Sequence, residues 1–106
     1  MNIQYKKGVV ELCILAMLSK KDMYGYELSE FIAKEIDISD GTVYPILRKL
    51  KIDGLLKTYL SEESGGPPRK YYKITNQGKI RYNYLLNEWN SFNNKVKKII
   101  RSEDNE

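Results

Sequence analysis

The chain has 106 residues, 42% hydrophobic and 30% charged, with one cysteine, no histidine and a net charge of +4, a globular balance that suits one domain. Without histidine there is no Ser-His-Asp triad, Cys-His pair or His-ligated metal, and the lone Cys13 excludes an internal disulfide and a four-cysteine zinc site. No apolar run approaches the ~20 residues that span a bilayer, and residues 1–7 lack the apolar core of a secretory signal, so the expectation is a cytoplasmic, non-enzymatic chain without cofactor, metal or membrane.

Residues 8–19 read as a helix with almost no polar face, since only Glu11 interrupts the apolar run. Such a helix must be covered on more than one side, and so short a chain has little to cover it with, which points to a second copy. Cys13 reads as a small buried hydrophobe rather than a reactive thiol. A second helix is expected over 24–36, with Leu28, Phe31, Ile32 and Ile36 as its apolar stripe.

The third helix carries the most information. Ser39 is its expected N-cap, Asp40 suits the first turn and Gly54 is a C-terminal stop. On a wheel of ~100° per residue Val43, Ile46, Leu47 and Leu50 fall in one sector. Gly41, Pro45, Arg48 and Ile52 oppose them, flanked by Tyr44 and Lys49. Pro45 removes a backbone bond to Gly41, so distortion is expected near the helix start.

Beyond Gly54 the hydrophobic period changes to alternation. Residues 55–60 and 69–74 read as two strands joined by a loop over 61–68 that carries Gly65-Gly66-Pro67-Pro68. From Thr75, a candidate N-cap, to about Arg101 runs a last helix, ~40 Å long. Tyr82, Leu85, Trp89, Phe92, Val96 and Ile99 alternate by three and four along it, the rhythm of helix pairing. The first helix offers the matching surface, and residues 102–106 form a polar tail.

The expected fold is therefore α+β and mainly α. Residues 1–75 form a winged helix-turn-helix of three helices plus a two-stranded wing, and residues 76–106 a long dimerisation helix and tail. In that order of elements the third helix enters the major groove of double-stranded DNA. Arg48 and Lys49 can reach phosphate or a guanine edge, Thr42 and Tyr44 can hydrogen-bond phosphate, and Ser39 lies beside a helix N-terminus. Arg69, Lys70 and Lys73 add cations on the hairpin, while Asp40, Asp53, Glu62 and Glu63 fall outside the outward-facing cations. Each assignment has a plainer counterpart: Tyr44 packed on the preceding helix, Arg48 and Lys49 on a solvated face, Arg69 and Lys70 paired with Glu62 and Glu63.

Three blocks carry a family resemblance: Tyr24-Gly25-Tyr26-Glu27-Leu28, Gly41-Thr42-Val43-Tyr44-Pro45-Ile46-Leu47-Arg48-Lys49-Leu50, and Gly65-Gly66-Pro67-Pro68-Arg69-Lys70-Tyr71-Tyr72-Lys73-Ile74-Thr75. In these the chain resembles PadR-type transcriptional regulators, over roughly residues 5–100, and within them the small subgroup with a single C-terminal helix. The resemblance implies a dimeric repressor of bacterial genes whose DNA-contacting positions are Ser39, Thr42, Tyr44, Pro45, Arg48 and Lys49 on the recognition helix, with Gly65, Gly66, Arg69 and Lys70 on the wing. Tyr72 and Ile74 resemble wing-to-core packing residues. The resemblance also implies a homodimer interface between first and last helices, here Val9, Leu12, Cys13 and Ala16 with Tyr82, Leu85, Trp89, Phe92, Val96 and Ile99. In multidrug-sensing members a tryptophan on the last helix stacks on flat aromatic ligands; Trp89 is similar in placement, which makes a small aromatic effector the expected ligand, against plain core packing.

The function expected is a DNA-binding dimeric repressor on a pseudo-palindromic operator. Its rival is a winged-helix module for protein assembly without DNA, and salt-sensitive nucleic-acid binding separates the two.

Overall fold

The computed structural model describes residues 3–62 and 65–102; the polar tail beyond Ser102, together with Glu63, lies outside the described residues. The elements run α1 (Ile3–Lys20), β1 (Met23–Tyr24), α2 (Gly25–Glu35), α3 (Asp40–Ile52), β2 (Leu56–Ser61), β3 (Arg69–Ile74) and α4 (Asn76–Ser102). Helix α1 starts well before the apolar run. It divides its apolar residues between two faces, with Val10, Ile14, Leu15 and Leu18 fully buried and Val9, Leu12, Cys13 and Ala16 half-buried on the other side.

The wing proves to be part of a three-stranded antiparallel sheet in the order β1-β3-β2, not an isolated two-stranded hairpin. Residues 23 and 24, expected at the entry to the second helix, form its edge strand, with Met23 opposite Tyr72 and Tyr24 opposite Tyr71. Two residues have no period to read, so the strand leaves no mark in the hydrophobic pattern. Helix α2 begins directly afterwards and buries Gly25, Leu28, Ser29, Ile32 and Ala33. Phe31, assigned to that stripe from its spacing, lies beside it and is 46% exposed.

Helix α3 keeps Val43, Leu47 and Leu50 in the core, with Ile46 half-buried. Ser39 holds the N-cap position, and its carbonyl accepts from the N–H groups of Thr42 and Val43. Its side chain does not cap the backbone; it is bonded to the Thr42 hydroxyl at 3.0 Å. The helix runs unbroken through Pro45, and the departure from ideal geometry is the tight Thr42-to-Ser39 bond in its first turn. At the other end Gly54 has φ 81°, the Leu55 N–H reaches the Leu50 carbonyl and the Gly54 N–H that of Lys51, which closes the helix in a Schellman motif.

Strands β2 and β3 pair from Leu56 opposite Ile74 to Ser61 opposite Arg69, and Leu56, Tyr72 and Ile74 point into the core. Thr75 caps α4 as expected: its hydroxyl accepts from the Gly78 N–H at 3.0 Å and donates to the Gly54 carbonyl at 2.8 Å. The same junction is so close that a Cβ on Gly78 would meet the Leu55 carbonyl and the Ile74 side chain. Beyond Tyr82 and Leu85, which pack on the core, α4 leaves the body of the chain and exposes Phe92, Val96 and Ile99. The molecule measures 63 Å in its longest dimension, against 28 and 22 Å.

The Tyr72 ring lies on Gly25, where an added Cβ would come within 2.6 Å of it. Gly25→Ala should therefore lower stability by about 1–3 kcal/mol, the usual cost of overfilling a packed core, read as a fall in the thermal unfolding midpoint.

Candidate nucleic-acid interface

Helix α3 presents Gly41, Pro45, Arg48, Lys49 and Ile52 to solvent, with Ile52 81% exposed. Gly41, Thr42, Pro45, Ile46 and Lys49 line a shallow hollow of about 350 Å³ along it. Arg48 has no ion-pair partner among the described residues. Lys49 does have one: its Nζ lies 3.1 Å from Asp53 Oδ2, one turn on. Asp53 thus stands among the outward-facing cations, contrary to the expectation from the sequence. Such an exposed pair is worth only about 0.3–0.5 kcal/mol, so Lys49 can exchange Asp53 for a phosphate at little cost.

The two faces of β3 separate the wing cations. Lys70 shares its face with Tyr72 and Ile74, the face that rests on the helices; Arg69 shares the opposite face with Tyr71 and Lys73. The Arg69 guanidinium sits 4.9 Å over the Tyr24 ring and 3.9 Å from Glu27 Oε1, so its acidic partner lies in the first turn of α2 rather than at Glu62. Lys70 is exposed and unpaired among the described residues. Gly65 and Gly66 are exposed at the tip, where Gly65 (φ 75°) donates its N–H to the Glu62 carbonyl.

The outer face of the sheet holds a group that the sequence reading missed. The Tyr59 and Tyr71 rings stack at 5.8 Å, Tyr24 lies 6.2 Å from Tyr71, and the Tyr59 hydroxyl donates to Asp22 Oδ2 at 2.7 Å. Alternation in the two strands was the available signal; the third ring arrives only through β1. Lys57 and Lys73 face each other across the strands on this side, a like-charge pair that weakens the ladder.

Tyr44 and Tyr72 join the wing to α3. Tyr44 is half-buried against the core, the packed position weighed for it above. Tyr72 is fully enclosed, and its hydroxyl makes no hydrogen bond of acceptable geometry although Tyr44 is its neighbour. Burial, and after it the adjacent Tyr44, push the Tyr72 phenol up to about 12, with Arg48 pulling the other way.

Of the residues predicted to pair two subunits, Val9, Leu12, Leu85, Trp89 and Phe92 line one apolar groove of about 420 Å³ between α1 and α4, together with Gly8 and Glu88. Cys13 and Ala16 line a second, smaller groove between α1 and α2. Burial pushes the Cys13 thiol up, as suits an unreactive side chain. Tyr82 belongs to the chain's own packing, and Val96 and Ile99 extend the seam into solvent. An Arg81–Glu11 ion pair at 3.0 Å ties α4 to α1.

A model of the transcriptional regulator PadR-like family matches residues 14–83. A solved structure of a Streptococcus mutans UA159 protein is 39% identical, covers 90% of this chain and 89% of its own, and superimposes with a TM-score of 0.83. A PadR-like transcriptional regulator from Bacillus cereus is 35% identical, with 92% and 97% covered and a TM-score of 0.83. Among curated proteins, an uncharacterised Lysinibacillus sphaericus protein is 34% identical over 87 residues, 78% of this chain and 80% of its own length.

A phenolate titration should contain a step near pH 12 that disappears in Tyr72→Phe. Because the folded-state value lies above the ordinary ~10, the folded protein holds this proton longer than the unfolded chain. The associated stability is intact below about pH 10 and is lost as pH rises towards 12. Loss of that stability below pH 10 would contradict the assignment.

Proposed function

The chain belongs to the PadR-like family of transcriptional regulators, and from that premise we propose that it is a homodimeric repressor binding a pseudo-palindromic operator with half-sites about one helical turn apart. The observation that carries this reading is the outward face of α3, where Arg48 stands exposed and unpaired beside a lysine held only by a weak surface bond. Arg48 and Lys49 enter the major groove. Ser39, Thr42 and Tyr44 add hydroxyls along the phosphates, and Gly41 and Pro45 allow close approach. On the wing, Gly65 and Gly66 let the tip follow the backbone and Lys70 supplies its free cation, while Arg69 holds the wing's base to Tyr24 and Glu27.

Residues 76–106 then serve to pair subunits. Support comes from the apolar seam that one chain leaves open: Phe92 is 53% and Ile99 71% exposed, and helix surfaces of this kind are covered by partners. Trp89, half-buried in the groove beside Val9 and Leu12, is where a small planar aromatic effector would dock and change the subunit angle, at a coupling of about 1–3 kcal/mol.

Selection of bound fragments from random duplex DNA, followed by affinity against salt, tests the reading. Binding should weaken steeply with salt; salt-insensitive or absent binding favours the protein-assembly alternative. Arg48→Ala should weaken the selected duplex by about 1–3 kcal/mol and relax preference at one base position. Val96→Asp should leave the winged-helix body folded by circular dichroism but convert the sedimenting species from dimer to monomer; an unchanged dimer would place the interface elsewhere.

A further inference from the structure

Tyr72 occupies the point where the reading elements meet. It pairs with Met23 of β1 and Thr58 of β2, its ring lies on Gly25 at the start of α2, and its hydroxyl neighbours Tyr44 and Arg48 of α3. That hydroxyl is one of two buried side-chain polar atoms among the described residues without a hydrogen bond, the other being in Ser29. An unmet buried donor costs free energy that a phenylalanine of the same shape would avoid, so packing alone gives no reason for the oxygen.

We infer that Tyr72 is a positioning residue for DNA binding, whose hydroxyl supplies the hydrogen bond that fixes Tyr44 when the Tyr44 hydroxyl meets a DNA phosphate. The inference rests on the proposed role of Tyr44 above. A phenolic hydroxyl has one proton and two lone pairs. In the free protein the Tyr44 proton has no anion to point at, and the two hydroxyls are not locked together. Once Tyr44 donates to a phosphate oxygen, its lone pairs are free for Tyr72, and a chain from Tyr72 through Tyr44 to phosphate forms. The outer bond is charge-assisted and polarises the inner one. Arg48, next to both rings, lies on the side where the phosphate's negative charge arrives. The donor left unmet in the free protein is thus satisfied only in the complex, and that difference between the states favours binding.

The test uses the tightest duplex recovered by the selection above, with wild-type, Tyr72→Phe, Tyr44→Phe and the double variant. Tyr72→Phe should weaken binding by about three- to tenfold, the worth of one hydrogen bond, with a thermal midpoint equal to or above wild type. In the Tyr44→Phe background the same change should have no effect. Equal losses in both backgrounds would reveal a general structural disturbance and overturn the inference, as would Tyr72→Phe affinity within about twofold of wild type. A lowered midpoint would mean that the hydroxyl is already bonded in the free protein and would overturn it too. If wild type itself binds no duplex, the reading of α3 fails and the inference with it; every other contrary result removes the inference alone.

Discussion

The seating of the Tyr72 ring on Gly25 is the constraint on which the rest of the molecule depends. A side chain at position 25 would push the ring away, and with it β3, whose Tyr72 is the central residue of a three-strand row running from Met23 to Thr58. Because glycine is there, α2 can begin immediately after β1, and the sheet can lie flat against the helices that carry the reading face. The wing is then not a loose appendage. Its inner face is core as far as Tyr72, and only from Lys70 outward does it project beyond the helices.

Much of this was legible in the residue pattern. Helices α3 and α4 were readable because both signals agreed: apolar spacing on one side and end residues on the other, Gly54 closing one and Thr75 opening the next. The buried trio Val43, Leu47 and Leu50 followed from the wheel alone. What stayed hidden depends on contacts distant in sequence. Strand β1 exists because β3 has a free edge, and Phe31 is exposed because the core-facing side of α2 is set by where the Tyr72 ring lands on Gly25. At the site, the pattern put Arg48 and Lys49 on one outward face, but charge pairing cannot be read from a wheel drawn for hydrophobicity. Lys49 turned to Asp53 within its own helix, and Arg69 to Glu27, far off in the chain.

The electrostatics of the surface divide accordingly. The cations of the reading face are exposed and held weakly or not at all, so little must be broken before they meet phosphate. On the sheet's outer face the charged groups are committed: Arg69 is stacked on Tyr24, and Asp22 accepts a tyrosine hydroxyl. A modest net charge of +4 thereby conceals a directional distribution, which is why composition alone could not distinguish an anion-binding protein from an ordinary solvated one.

The Thr75 hydroxyl, shared between the Gly54 carbonyl and the Gly78 N–H, has a mechanical consequence. It makes a stiff elbow between the end of one helix and the start of another, with Gly78 pressed so close that there is no slack to absorb rotation. A rod ~40 Å long hinged there moves its far tip by about 0.7 Å for each degree of tilt. Whatever grips that distant tip therefore steers the groove-facing helix like a tiller.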